Sequence, residues 1–229
     1  DQRCVINVLN FRLQKSYLPV DAIIMAGGLG SRLKPMTNHT PKPLLKVGSK
    51  SIIDYNIDRL IAFGIDDFHI SVRYLGEQIE HHIKKRELCG VNFNFVWEKE
   101  ALGTLGGSKL IDHFNHDYIL ITNSDILTTL NYEEFFLDFM RNGADMSVVT
   151  IPYTVNVPYA VLETQKALVM GFREKPTYQY YCNGGIYLIK KHLLEFVPKR
   201  QFYNATDLMN LVIERNMKLI SFPMQDYWL

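Results

Sequence analysis

A short apolar run, Asp21-Ala-Ile-Ile-Met-Ala26, ends abruptly at Gly27-Gly28-Leu-Gly30-Ser31-Arg32-Leu33. Such a run reads as a buried parallel strand, and the glycines behind it free the backbone to bring N–H groups close to a ligand. In open α/β sheets ligands bind beyond the carboxyl ends of the strands, where this turn falls. A dinucleotide fingerprint, G-x-G-x-x-G, needs a third glycine where Leu33 stands, and a Walker loop, G-x-x-x-x-G-K-[ST], is also missing. The turn carries Arg32 instead, followed ten residues later by Lys42 between Pro41 and Pro43. Two prolines stiffen that segment and fix the direction of the lysine. A tight turn with two solvated cations would use the same residues; the full combination favours an anion site.

Strand-like and helix-like segments alternate beyond the turn. Ser51 can cap a helix with apolar positions at Ile53, Ile57, Leu60 and Ile61, and Gly64 can stop it. Strands are expected at 68–72, 93–97, 118–122 and 146–150, and helices at 76–85, 104–113 and 131–140. Past Pro152 come shorter strands around 160–164, 168–173 and 184–189, then helices near 191–196 and 206–215. This order predicts an α/β fold, a Rossmann-like, mostly parallel sheet with helices on both faces. No internal repeat appears, so residues 20–229 read as one domain. Residues 1–19, with a short strand at Cys4–Leu9 and a break at Pro19, read as a linker or tail of an upstream domain. They lack the charged leader and apolar core of a signal peptide.

Charge narrows the function. Lys plus Arg number 25 against 24 Asp plus Glu, a formal charge of +1. A chain so balanced is not held on nucleic acid by bulk electrostatics, so anion binding must come from a few placed cations. No apolar run approaches the roughly 20 residues of a membrane-spanning helix. Three cysteines, Cys4, Cys89 and Cys182, are too scattered for a disulfide framework or a zinc site, which points to a reducing, cytoplasmic setting.

The glycine turn with Arg32, then Pro41-Lys42-Pro-Leu-Leu and Ile53-Asp-Tyr, resembles the opening of the sugar-1-phosphate nucleotidyltransferases. The resemblance runs from about residue 20 to the last, and leans to the mannose-1-phosphate guanylyltransferase-like branch. It implies the nucleotide-diphospho-sugar transferase type of fold and a reaction joining an NTP to a sugar 1-phosphate, with pyrophosphate released. By that resemblance Arg32, Lys42 and Asp125 are catalytic, and Asp125, in Asn123-Ser-Asp125, binds Mg²⁺. Ala26, Gly27, Gly28, Gly30 and Ser31, with Leu102, Gly103 and Thr104 of Leu102-Gly-Thr-Leu-Gly106, would hold the nucleotide. Thr104 could equally cap a helix. Glu174 and Lys175 of Phe172-Arg-Glu-Lys-Pro176, with Asn183 and Gly184 of Asn183-Gly-Gly-Ile-Tyr187, would hold the sugar phosphate. The family's second metal carboxylate follows a tryptophan by two positions; Trp228 and Leu229 are present, and Asp226 lies on the wrong side. The domain is therefore expected to be incomplete at its carboxyl end, to lack half of its metal site and a closing helix, and to be impaired, binding nucleotide better than it turns over. The resemblance also admits a homo-oligomer and an upstream CBS-type regulatory domain, whose following linker residues 1–19 resemble.

The chemistry suits these residues. A sugar phosphate carries nearly two negative charges at neutral pH. At ~4 Å and an effective dielectric of 20 each pair of unit charges repels by about 4 kcal/mol, so neutralising and aligning two polyanions is the main task. The nucleophile is already ionised and needs no general base. Accordingly His81 and His82 read as solvated, and His113 and His116 as caps at a helix end. GTP is the favoured donor, with uridylyl and thymidylyl transfer open. A non-catalytic sensor of nucleotide or nucleotide-sugar is the alternative; a nicotinamide dehydrogenase is disfavoured by Leu33.

Overall fold

The computed structural model describes residues 16–224 together with Tyr227 and Trp228. The strand expected at Cys4–Leu9, most of the 1–19 tail, Asp226 and Leu229 lie outside the described residues. The fold begins with β1 (Val20–Met25), buried on both faces although Asp21 interrupts its apolar run. Two short strands, β2 (Lys46–Val47) and β3 (Lys50–Ser51), pair antiparallel and lead into α1 (Ile52–Ala62). Ser51 caps α1 as expected, its Oγ accepting the Asp54 N–H at 3.3 Å. Gly64, at φ +77°, lets the chain leave the helix.

Next come β4 (Asp67–Val72), α2 (Gly76–Lys84), β5 (Asn92–Trp97) and β6 (Tyr118–Asn123). Asn131 caps α3 (Tyr132–Arg141) by accepting the N–H groups of Glu133 and Glu134. Four strands follow: β7 (Met146–Asn156), β8 (Val161–Gln165), β9 (Leu168–Arg173) and β10 (Thr177–Lys190). The last elements are α4 (Ala205–Glu214) and β11 (Leu219–Pro223).

Seven strands form one sheet in the order β11-β7-β10-β6-β1-β4-β5. β4 and β6 run parallel to β1, β5 to β4, and β11 to β7. β10 opposes both β6 and β7, so the sheet is mostly parallel, as the segment order implied. Side-chain alternation along β1 sends Ala22 and Ile24 to one face and Ile23 to the other. The first face packs under α1, α2 and α3 through Ile53, Ile57, Ile79, Ile83, Phe135 and Phe139. The second packs under α4 and a 3₁₀ segment, Lys191–Phe196, through Leu208, Val212, Leu193 and Leu194. Burying each of these side chains contributes about 1.5–3 kcal/mol. Helices thus cover both faces.

Three local expectations change. The helix at 104–113 is only a 3₁₀ turn, Gly106–Leu110, because Gly106 and Gly107 are poor helix formers and the backbone there bonds to a distant segment. The segment at 191–196 is likewise 3₁₀, not α. β7 and β10 extend well past their expected ends, pairing with each other out to Asn156 and Thr177. β11, unanticipated, adds a parallel edge strand beside β7.

Candidate active site

Strand order places the site. From β1 the chain moves to β4 and β5 on one side, then crosses back to β6 on the other. Such a reversal opens a crevice at the carboxyl ends of the two strands it separates, here β1 and β6. The glycine turn follows β1 and Asn123-Ser-Asp125 ends β6. The Ser124 N–H donates to Met25 O at 3.1 Å, which ties the two strand ends together.

Gly30 sits at φ +60°, and a methyl group there would stand 2.9 Å from Thr37 Cγ2 and 3.2 Å from Lys42 Cβ. Only glycine lets this turn close against the Lys42 segment. Lys42 begins a 3₁₀ turn, Lys42–Leu44, anchored by the buried Pro43. Its ammonium donates to Asp125 Oδ2, an ion pair that links residues 83 positions apart at the crevice.

A second clamp holds the opposite wall. The N–H groups of Leu105 and Gly106 donate to Tyr203 O, and Tyr203 N–H donates to Leu102 O. The Thr104 N–H donates to Asn204 Oδ1 at 3.3 Å, while Thr104 Oγ accepts the Ala205 N–H at 2.7 Å. Thr104 therefore serves a helix start, as one reading held, but that of α4. Gly103 has φ +77°, and a methyl group there would lie 2.6 Å from Tyr203 O. Left-handed backbone costs a non-glycine residue about 1–2 kcal/mol, and the clash with fixed backbone adds to it. Gly103→Ala should thus destabilise the protein by roughly 2 kcal/mol, measurable by denaturant titration.

These walls enclose a cavity of about 450 Å³. Eleven expected residues line it together: Ala26, Gly27, Gly28, Gly30, Ser31, Arg32, Lys42, Leu102, Gly103, Thr104 and Asp125. Glu174, Lys175, Asn183 and Gly184 do not. Glu174 and Lys175 stand exposed in the turn between β9 and β10, Lys175 at φ +42°. Asn183 Oδ1 accepts the Gly185 N–H at 2.9 Å, and the Gly184 carbonyl accepts the Trp228 indole N–H at 2.9 Å. Trp228 also bridges to Thr128, three positions after Asp125.

Among the cavity-lining residues that the sequence reading did not assign to the site are Arg73, Glu98, Phe202 and Asn204. A signal for two of them existed. Arg73 and Glu98 come directly after β4 and β5, at the strand ends where ligands of such sheets bind. Glu98 is buried; its carboxylate accepts the Ser71 hydroxyl on Oε1 and the Leu102 N–H at 3.1 Å on Oε2.

Two histidine expectations are corrected. His82 is not merely solvated, since its Nε2 lies 3.0 Å from the Asp54 carboxylate. His116 does not cap a helix end; it meets a buried carboxylate. Asp21 accepts the N–H groups of Asn115 and His116 at 3.2 and 2.7 Å, and His69 Nε2 lies 3.2 Å from Oδ1. Burial alone would push the Asp21 carboxyl up, but bonds from His69, His116 and Asn115 outweigh it and hold the group below its ordinary value. Asp21, Asp67 and His116 bring metal-ligating atoms within 4.8 Å of one another. Asp21 lies near the amino end of β1, about 13 Å along the strand from Met25 at the cavity, so this cluster is separate from Asp125.

The Nucleotidyl transferase family matches residues 21–229, which includes every wall of the crevice. The chain belongs to that family. A mannose-1-phosphate guanyltransferase of Schizosaccharomyces pombe is 29% identical over 91% of this chain and 60% of its own length. A UTP–glucose-1-phosphate uridylyltransferase of Synechocystis is 26% identical over 90% of the chain and 58% of its own. The chain therefore spans about 60% of the curated relatives it matches. A crystal structure of a proposed glucose-1-phosphate thymidylyltransferase from Bacillus anthracis, bound to sucrose, superposes with a TM-score of 0.70. It is 25% identical and covers 91% of this chain and 88% of that one. The sheet described above is thus the nucleotidyltransferase fold.

Proposed function

We propose that this nucleotidyltransferase-family chain transfers a nucleoside monophosphate, with GTP as the favoured donor, to a sugar 1-phosphate. One observation carries the reading: Arg32, Lys42 and Asp125 share a single cavity with the glycine turn at the crevice between β1 and β6. In the reaction a phosphate oxygen of the sugar 1-phosphate attacks the α-phosphorus. The bond from that phosphorus to the oxygen bridging the β-phosphate breaks, and pyrophosphate leaves. No proton needs to move at the nucleophile.

Backbone N–H groups of the turn meet the triphosphate, while Arg32 grips two phosphate oxygens with its planar fork. Lys42 supplies a point charge from the facing wall. Asp125 offers the hard oxygen donor that suits Mg²⁺, an ion that binds through one or two carboxylates plus substrate phosphates. When bound, that cation neutralises phosphate charge. Lys42 and the cation would then share Asp125. Glu174 and Lys175, in the β9–β10 turn, and Asn183 and Gly184, on β10 beside β7, remain our assignment for the acceptor. Exposed free thiols at Cys89 and Cys182 fit a cytoplasmic setting.

A coupled pyrophosphate-release assay, run over the common NTPs and a panel of hexose 1-phosphates with Mg²⁺, tests the proposal. Pyrophosphate should appear only with both substrates present. Nucleotide binding without release on any acceptor would favour the sensing alternative.

A further inference from the structure

Past the main sheet, where β11 and β6 no longer flank them, β7 and β10 continue as a two-stranded ribbon, 151–156 against 177–182. Residues directly opposite in an antiparallel pair share a face, and neighbours along each strand alternate. Ile151 with Cys182, Tyr153 with Tyr180 and Val155 with Tyr178 therefore make one face, all of apolar or aromatic side chains. Pro152 with Tyr181, Thr154 with Gln179 and Asn156 with Thr177 make the other, where the Thr177 hydroxyl donates to Asn156 Oδ1 at 2.8 Å. A ribbon so divided has one side to cover, yet Tyr153 is 59% and Tyr180 54% exposed. The adjoining hairpin is as bare. Among the described residues β8 and β9 pair only with each other, and Leu162 lies opposite Phe172, 56% and 66% exposed. Two-stranded pieces are marginally stable in water unless a face is packed.

We infer that this arm is the surface on which a second copy of the chain docks, apolar ribbon face against apolar ribbon face about a two-fold axis. Area, charge and symmetry each favour a second copy over a foreign partner. Nine large apolar side chains between Tyr153 and Tyr181 are more than half exposed. Together they offer on the order of 1,000 Å², against the roughly 800 Å² that each partner of a stable complex buries. Residues 151–183 hold three cations against two carboxylates, and Arg173 already pairs with Glu163 at 2.8 Å. Two copies thus meet no like-charge barrier, and the arm holds no strong charge for a foreign partner to complement. Tyr153 and Tyr180 stand side by side, so a two-fold sets one tyrosine pair over another and makes the face complementary to itself. Tyrosine is enriched and charge depleted at the centres of such interfaces.

Sedimentation velocity of the chain at about 1–100 μM tests this. The mass should rise from 26.6 kDa toward twice that value as concentration increases. Tyr153→Arg combined with Tyr180→Arg should weaken association by at least about 100-fold, since buried aromatic anchors are lost and four like charges then meet. Thr154→Arg combined with Gln179→Arg puts the same charges on the polar face and should leave Kd within about threefold. Cys182 gives a readout that needs no substitution, so the inference stays open to refutation even if the tyrosine variant does not fold. Its thiol is exposed in the single chain and lies on the apolar face. Maleimide labelling, followed by peptide mass mapping, should slow at Cys182 as the dimer forms and hold steady at Cys89, which precedes β5 at the far edge of the sheet. Four results would each overturn the inference: a constant 26.6 kDa, a dimer indifferent to the tyrosine substitutions, equal weakening by the polar-face pair, or Cys182 labelling that ignores dimerisation.

Discussion

Lys42→Ala should lower kcat for pyrophosphate release by at least about 100-fold with little loss of stability, and Arg32→Ala should cost a similar or smaller factor. On the proposed reading both cations face the place where negative charge gathers, since Arg32 and Lys42 line the same cavity. Lys42 is expected to matter more, since its ammonium also partners Asp125. Removing it withdraws a positive charge and leaves that carboxylate facing the triphosphate, adding repulsion of about 4 kcal/mol at ~4 Å before screening. Both Lys42 and Asp125 side chains are about one-third exposed, so water weakens that figure. Steady-state kinetics on Lys42→Ala, Asp125→Asn and the double variant would measure the coupling. If the two residues act as one unit, the double variant should be hardly slower than the worse single one. Losses that simply multiply would mean that the ion pair has no part in turnover.

Much of this site was legible because its parts lie at strand ends. An apolar run broken by three glycines announces both β1 and the turn, and Pro41 and Pro43 announce that Lys42 is held. Asp125 could be placed because Tyr118–Thr122 is so strand-like. Arg73 and Glu98 were not picked out, though the strands before them were, because one charged residue after a strand resembles any solvated turn until the strand order is known. The wall at 102–106 was legible as a motif but not as a structure: its geometry depends on Tyr203 and Asn204, about a hundred positions away, through backbone bonds that leave no side-chain pattern. Glu174 and Lys175 show the converse. Their motif is local, but the arm that carries them is set by how far β7 and β10 pair, and that pairing runs past the expected strand ends into exposed tyrosines at 153, 180 and 181.

Asp21 is the residue whose sequence context most disguised it, and it carries the largest expected effect on stability. The run it heads reads as a buried strand, but nothing in the sequence names partners for its carboxylate, and it is 0% exposed. Asp21→Ala strands the N–H groups of Asn115 and His116 and leaves His69 without its acceptor. Breaking a buried hydrogen-bonded charge in this way costs about 3–5 kcal/mol. For a chain of this size that lowers Tm on the order of 10 °C. The pH dependence fixes the role of the charge itself. Because the folded carboxyl sits below its unfolded value, Asp21 contributes stability that is fully present above about pH 4 and is lost as pH falls through the lower, folded value. Asp21→Asn should therefore be less stable than wild type at neutral pH, and the gap should narrow on acidification. Chemical denaturation of both proteins across pH 3–7 checks this; a gap that stays constant would mean that shape, not charge, holds the strand end. Nucleotide affinity of the folded variant should remain near that of wild type, since the cavity opens at the other end of β1.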